Sequence, residues 1–318
     1  MSNLKLTIET NSQIFEPSVL DGIQLDQERQ GSPAKLTFTV LKEGTIAFNE
    51  GDRVCFWYGT TPMFMGYVFT KQRDKDGQIQ VTAYDQLRYL NNKFTYTFVK
   101  KTASDIIKMI TDDFGLQIGS IENTQYPIPS YLGRNKALFD IILETLSETT
   151  TQTGKLYTLY DNFGSIELKS MDNMLTTVLV DSETAENFNY TSSIDEETYN
   201  KIVLDYVDEN NVHKPYSASD SSNINQWGLL QYFEEISVES IAQHKADSLL
   251  ELYNKKTRKL TIDNAFGNTL VRAGSLVVVR LNLGDIVTNN YMLIDKVTHK
   301  FNENYYSMDL TLNGSWGD

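Results

Sequence analysis

The chain has 318 residues, 40% hydrophobic and 11% aromatic, enough for two or three packed domains and too apolar for a disordered polymer. A net charge of −14 argues against gripping nucleic-acid phosphates or anionic membranes, and no apolar run approaches the ~18 residues of a membrane span. The single cysteine, Cys55, rules out an internal disulfide and sits in the apolar run VCFWY, where a small core residue is expected.

Residues 1–98 read as β structure. The opening MSNLKLTIETN alternates like a strand and lacks the apolar core of a secretory signal, so the chain is expected to be made and folded in a cytoplasm. FEPSVLDGIQLD suggests a short strand broken at Pro17 and Gly22. Four strand-like runs follow: KLTFTV from Lys35, EGDRVCFWY, MFMGYVFTK and IQVTAYD. Between the last two, DKDG at 74–77 reads as a hairpin turn. As a calcium loop it would lack the third ligand position and the distal Glu.

The period then changes. TASDIIKMITDDFG places Ile106, Ile107, Ile110 and Phe114 on one helical face, with Thr102 as N-cap, Asp105 three residues on and Gly115 closing the helix. NKALFDIILETLSETT repeats the pattern, with Asn135 as the expected cap and Leu138, Ile141, Ile142 and Leu146 as the stripe. Between the helices YPIPSY, with Pro127 and Pro129, is expected to be an extended connector. GKLYTLYDNFGSIELKS reads as a hairpin turning at 161–164. Both stripes are core-facing, so residues 99–190 predict a small α+β domain. YNKIVLDYVDENNVHKPYSA is a further hairpin with a polar tip at 208–211, and the Ser/Asn-rich SASDSSNINQWG is an expected exposed loop. A third helix is expected from Ser237, with Ile241, Ala242, Leu249, Leu250 and Tyr253 along one side.

That helix leads into a stretch resembling the first. KLTIDN from Lys259, RAGSLVVVRL, YMLIDKVTHK, a turn FNEN and YYSMDLTLNG follow the earlier runs in order. Lys-Leu-Thr opens both copies at an offset of 224, Gly51 and Gly274 precede the second strand at 223, and Thr70 and Thr298 close the third at 228. The expected fold class is α+β and mostly β: two similar tube-like β-barrel domains, a small α+β domain and a helical excursion. The first barrel is 1–98 and the α+β domain 99–190. The second barrel, 191–318, draws on 191–207 and 256–318 and is interrupted by the loop and helix of 208–255. Two copies of one unit suit a partner of higher rotational symmetry than the chain's own assembly.

Motifs for chemistry are sparse. His213, His244 and His299 fall on separate elements with no His or Cys at ligand spacing, and HExxH, a Walker lysine loop, GxGxxG and a nucleophile elbow are missing from the sequence. The expectation is therefore no catalytic, cofactor-binding or metal-binding residue and no cofactor. Two other readings are open. Asp195-Glu196-Glu197 and Glu234-Glu235 would supply the carboxylate pair of a peptidoglycan-directed glycosidase, while Trp57, Trp227 and Trp316 would serve a carbohydrate-binding β module. The plainer reading makes the carboxylates solvated caps, Trp57 a core residue, and Trp227 and Trp316 loop residues packing at subunit contacts.

VTAYDQLRYL at 81–90, after Glu50-Gly51-Asp52-x-Val54 and Gly66-Tyr67-Val68, resembles the XkdQ/YqbQ group. These are tail hub proteins of prophages and phage-tail-like particles from Gram-positive bacteria, similar in turn to baseplate hub and late-control-D proteins of contractile tails. The likeness continues through KTASDIIKMI, NKALFDIILETL, YNKIVLDY, WGLLQYFEE, KADSLLELYN and MDLTLNG, and so covers nearly the whole chain. The resemblance implies a structural protein and no enzyme: a homotrimer whose six β domains form a pseudo-hexameric ring joining a hexameric tail tube to a trimeric spike. Implied partners are the tail tube protein and the central spike protein, with tape measure and baseplate wedge proteins beyond them. DNA would be cargo in the channel only, and the chain would not insert in a membrane. The implied location is the baseplate of a virion or tail-like particle assembled in the bacterial host cytoplasm. Some relatives are fused to peptidoglycan-cleaving modules; this chain is expected to stop at Asp318 without one. An acidic channel lining would repel a passing polyanion, which the −14 charge permits.

Overall fold

The structure, a computed structural model, describes residues 3–10, 13–41, 47–184, 186–195, 197–282 and 287–313. The chain opens with seven strands: β1 (Leu4–Glu9), β2 (Ile14–Phe15), β3 (Ile23–Glu28), β4 (Lys35–Leu41), β5 (Arg53–Tyr58), β6 (Thr61–Arg73) and β7 (Gln78–Tyr84). They pair antiparallel in the order β3-β4-β7-β6-β5-β1-β2. Alternation sets the faces: Leu36, Phe38 and Val40 of β4 are buried while Lys35, Thr37 and Thr39 point the other way. β6 is long enough to pair twice, first with β5 and then with β7, and its register shifts between Val68 and Thr70. The DKDG turn forms as expected. Asp74 accepts from the N–H groups of Asp76 and Gln78, and Gly77 takes φ +84°.

The α+β unit follows with β8 (Lys93–Thr102), α1 (Ala103–Asp113), β9 (Ile118–Ile121), β10 (Pro127–Ala137), α2 (Leu138–Thr153), β11 (Tyr157–Asp161) and β12 (Ile166–Ser170). Thr102 and Asp105 make the capping box of α1, and the two helical stripes meet in one core with Leu159 and Leu168. Three details differ from expectation. β8 begins at Lys93, so the expected boundary at 98 falls inside a strand. The proline-bearing connector is strand β10, which among the described residues pairs only with β8; prolines are tolerated there because a two-stranded sheet leaves one edge without a ladder. Asn135 belongs to that strand, with φ +48°, and α2 starts at Leu138 after Ala137 without a side-chain cap.

Next come β13 (Leu175–Asp181), β14 (Asn187–Ser193), β15 (Lys201–Val207), β16 (His213–Ser219), α3 (Ser221–Trp227), β17 (Gln231–Ile236) and α4 (Ala242–Tyr253). β15 was expected beside 256–318, yet it pairs with β16 and β17. The physical reason is its own alternation: Ile202 and Leu204 bury beneath Ala246 and Leu249 of α4, forming a separate small core. The expected Ser/Asn loop contains α3, because Asp220 caps it by accepting from Ser222 and Asn223. α4 begins at Ala242, five residues beyond Ser237.

The last strands are β18 (Thr257–Phe266), β19 (Leu276–Asn282), β20 (Val287–Phe301) and β21 (Tyr306–Asn313). With β13 and β14 they make the order β14-β18-β21-β20-β19-β13, matching β3-β4-β7-β6-β5-β1 strand for strand. The match reaches single bonds. Gly51 N–H donates to Val68 O and Gly274 N–H to Ile294 O, both at 2.8 Å, with φ +93° and +89°. The long strands shift register at the same place, Val68/Thr70 and Ile294/Lys296. Lys35 and Thr37 face Tyr84 and Thr82 as Lys259 and Thr261 face Asn313 and Thr311. This register makes Gln72, not Thr70, the counterpart of Thr298. One strand departs: β1 runs antiparallel to β5, whereas β13 runs parallel to β19.

A single core spans both β units. Leu25, Leu36 and Phe56 of the first pack in one cluster with Leu260, Val297 and Phe301 of the second. Cys55 and Trp57 lie outside it. Val54 and Phe56 take the core face of β5, so their neighbours must point away. Trp57 lies 5.4 Å from Phe163 of the α+β unit and beneath the Lys5 ammonium, and Cys55 is half-buried opposite Thr7 and Met65.

Candidate assembly interface

The two β units are joined edge to edge. The second half of β20 carries β21 on one side and β3 on the other, pairing Lys296 through Phe301 with Glu28 through Ile23. Charged side chains fasten the seam. Lys296 Nζ lies 2.8 Å from Glu28 Oε1, Arg29 Nε 2.9 Å from Asp295 Oδ1, and Thr298 Oγ1 donates to Asp26 Oδ1 at 2.7 Å. Partial burial works against the Asp26 carboxylate, but hydrogen bonds from Thr298 and Gln24 and the ammonium of Lys35 hold its pKa below the ordinary carboxylate value. The hydrogen bond to Glu28 raises Lys296.

The seam makes one continuous sheet face from β14 to β6. Its side chains away from the core are Asn189, Thr261, Thr311, Thr298, Thr37, Thr82, Thr70, Gln80 and their neighbours. Four lysines (Lys35, Lys259, Lys296 and Lys300) balance four acids (Asp26, Glu28, Asp263 and Asp309) on it, and Lys300 pairs with Asp309. The acidic surplus of the chain is therefore not on this face.

The motif VTAYDQLRYL forms a second junction. Val81 and Ala83 end in the β core, then Asp85 caps a 3-10 turn at Gln86–Asn91 and also accepts from Ala34 N–H at 3.1 Å. Gln86 reaches the α+β unit, donating to Gly164 O at 2.7 Å and accepting from Gln117 N–H at 2.9 Å. Arg272 of the second β unit stacks 3.7 Å from the Tyr160 ring and donates to Asp161 O at 2.8 Å. Burial pushes the Asp85 carboxyl well up, and the neighbouring Asp161 adds to the rise. Asp85, Gln86 and Arg272 thus pin three parts of the chain together.

Of the carboxylates proposed for glycan cleavage, Glu234 and Glu235 both line a cavity of about 400 Å³ with Glu144 and Glu148, but as successive residues of one strand they do not oppose one another across it. Glu234 is bound to Lys245 at 2.8 Å and to the Tyr232 hydroxyl, while Glu235 lies on the opposite face of β17. Asp195 and Glu197 are exposed, and Glu196 lies outside the described residues. Asp85 and Asp161 do approach one another, but the cavity they line with Arg272 is about 20 Å³, water-sized and too small for a sugar. Among the described residues no three His, Cys, Asp or Glu side chains converge as metal ligands. Trp227 is half-buried at the end of α3, far in sequence from Trp57, and Trp316 lies outside the described residues. Sequence reasoning missed Asp26, Glu28, Lys296 and Thr298. Their only signal was polar alternation on strands whose neighbours were unknown.

The family model described as YQBQ-like matches residues 23–313. The chain belongs to the YQBQ-like family. The Bacillus subtilis phage-like element PBSX protein XkdQ is 31% identical to it over 304 residues, covering 92% of this chain and 91% of that one. Among solved structures, the prophage MuSo2 43 kDa tail protein from Shewanella oneidensis superposes with a TM-score of 0.71 at 12% identity, covering 97% of this chain and 98% of the other. The E. coli c3393 protein, a type VI secretion component described as similar to T4 tail proteins gp27 and gp5, gives 0.60 at 14% identity, covering 97% and 76%. At such identities these likenesses establish a shared fold. The YQBQ-like chain has the fold of a prophage tail protein, with its own sequence filling that frame.

Proposed function

We propose that this chain is a structural hub of a phage tail or tail-like particle, three copies forming a ring of six like β units between a hexameric tube and a trimeric spike. In this reading the ring units are residues 4–84 and 175–193 with 257–313, and the pieces at 93–170 and 199–255 lie outside the ring. The observation that carries it is the seam between β20 and β3: two sheets of one strand order are joined head to tail by unlike edges. A head-to-tail joint that repeats generates a ring when its rotation closes. Three chains of two units then meet a six-fold tube on one side and keep three-fold symmetry for the spike. The polar, charge-balanced sheet face suits a channel wall, because Thr, Asn and Gln stay hydrated and matched charges hold a passing polyanion only weakly. The fold shared with c3393, a protein compared with tail components, supports the same placement. The test is the native mass and symmetry of the purified chain. A species of three times 36.3 kDa, with six similar lobes by electron microscopy, is expected; a monomer or two-fold dimer at all concentrations would refute the ring.

A further inference from the structure

The geometry points to a specific joint between copies of this chain: residues 70–73 of β6 pair antiparallel with residues 190–193 of β14 from a second copy, Gln72 opposite Thr191. The inference rests on the ring reading and supplies its contact. Within the chain, the counterpart edge of β20 is covered by β3, whose counterpart is β14. Yet residues 70–73 have β7 on one side only, and β14 has β18 on one side only, among the described residues. Unpaired edges of that kind recruit strands.

The register follows from two correspondences already established. The shared bulge equates Lys296, Val297, Thr298 and His299 with Thr70, Lys71, Gln72 and Arg73. The shared Lys-Leu-Thr rungs equate Leu25 with Tyr190, Asp26 with Thr191, Gln27 with Ser192 and Glu28 with Ser193. Since Thr298 faces Asp26 in the seam, Gln72 faces Thr191 in the joint; since Lys296 faces Glu28, Thr70 faces Ser193. A second observation agrees. Leu25 is fully buried under β20, whereas its counterpart Tyr190 on β14 is only half-buried. Tyr190 is left as Leu25 would be if its partner strand were removed. The rungs are chemically compatible: Thr with Ser and Gln with Thr set no like charges opposite one another.

Cysteine cross-linking of the full chain tests this, in a Cys55→Ala background. Directly opposed residues in an antiparallel ladder sit about 4.5–5.5 Å apart at Cα, within disulfide reach, whereas diagonal neighbours at about 7–8 Å lie beyond it. Gln72→Cys with Thr191→Cys should cross-link under mild oxidation at least about tenfold more than Gln72→Cys with Asn189→Cys, which shares the same face. Thr70→Cys with Ser193→Cys is the second opposed pair, should the first variant misfold. A covalent ladder ending at three chain masses supports both joint and ring. A ladder running past three supports the joint and overturns the three-fold ring. A native trimer in which neither opposed pair outperforms the offset pair overturns the joint and leaves the ring standing. A monomer without cross-links overturns both.

Discussion

Replacing Phe301 by alanine tests whether the two β units share one core. Phe301 is fully buried on β20, and its ring centroid lies 4.8 Å from Phe56 of the first unit and 4.5 Å from Tyr306 of the second. Truncating a buried Phe costs about 3–5 kcal/mol, the upper end applying where surrounding side chains cannot collapse into the space. Rigid aromatic neighbours on both sides, Tyr58 at 5.6 Å among them, leave little room for collapse. The expected loss is therefore about 4 kcal/mol, close to 10³-fold in the opening equilibrium, since 1.4 kcal/mol is tenfold. Hydrogen exchange resolved by segment is the assay. Protection should fall in 257–266 and 306–313 of the second unit and equally in 35–41 and 78–84 of the first, while α1 and α2, with their separate core, stay protected. Loss confined to the second unit would show that the seam joins two independent cores, and the shared-core argument would fail. A Phe56→Ala, Phe301→Ala double-mutant cycle should return a coupling of about 0.5–3 kcal/mol.

Three further outcomes follow from single sites. Burial pushes the His299 imidazole down to about 3, with Nδ1 against the Tyr306 hydroxyl at 2.9 Å; the folded chain then refuses a proton that the unfolded chain binds near 6.5, so stability falls as pH drops from 6.5 towards 3, by on the order of 4 kcal/mol. His299→Phe should flatten that part of a urea-midpoint-against-pH curve above the carboxylate range, and an unchanged slope would refute the assignment; the Asp26 contribution, with a lowered pKa, is lost as pH falls from the ordinary carboxylate value of 3.8 downward. Gly66→Ala would set a Cβ 2.2 Å from the Tyr84 carbonyl oxygen and 2.5 Å from the Phe64 ring, so a loss of at least about 3 kcal/mol in denaturant is expected, and a wild-type midpoint would contradict the close approach. Thr102→Ala removes half a capping box and should cost about 1 kcal/mol, seen as faster exchange in the first turn of α1 with the β units unaffected.

Local signals in the sequence were strong where chemistry was local. Thr102 and Asp105 cap α1 because both halves of the box lie within four residues, and DKDG turns because Asp74 bonds its own neighbours. The repeat was legible from Lys-Leu-Thr and from Gly51 and Gly274, whose positive φ demands glycine. What could not be read was which strand lies beside which. β15 alternates like any strand of the second copy, and only the apolar face of α4 sends it elsewhere. Likewise the run VCFWY is apolar throughout, so nothing in it distinguishes the core residues Val54 and Phe56 from Cys55 and Trp57, which face outward. The seam is the extreme case. Glu28 and Lys296 are 268 residues apart, and no periodicity announces that they meet.

The seam and the proposed joint share a backbone plan but differ in side chains, and the difference has a use. Were both edges of each unit equivalent, β3 could be captured by β6 of another copy as readily as by β20 of its own, giving mispaired chains and open polymers. The seam within the chain carries Lys296 with Glu28, Arg29 with Asp295 and Thr298 with Asp26. At the joint between copies the same positions hold Thr70 with Ser193, Phe69 with Ile194 and Gln72 with Thr191. Crossing the two would place Arg29 against Phe69 and Asp295 against Ile194, stranding one charge on each side of the mispaired edge. Covalent linkage already favours the internal seam through its high effective concentration, and the ion pairs add selectivity for the right edge. Charging the joint directly tests this: Gln72→Glu with Thr191→Glu sets like charges opposite one another between copies while leaving the seam untouched. Assembly should then fail in low salt and recover as salt screens the repulsion. Failure that salt does not relieve would mean that these positions act through packing rather than through the facing rung.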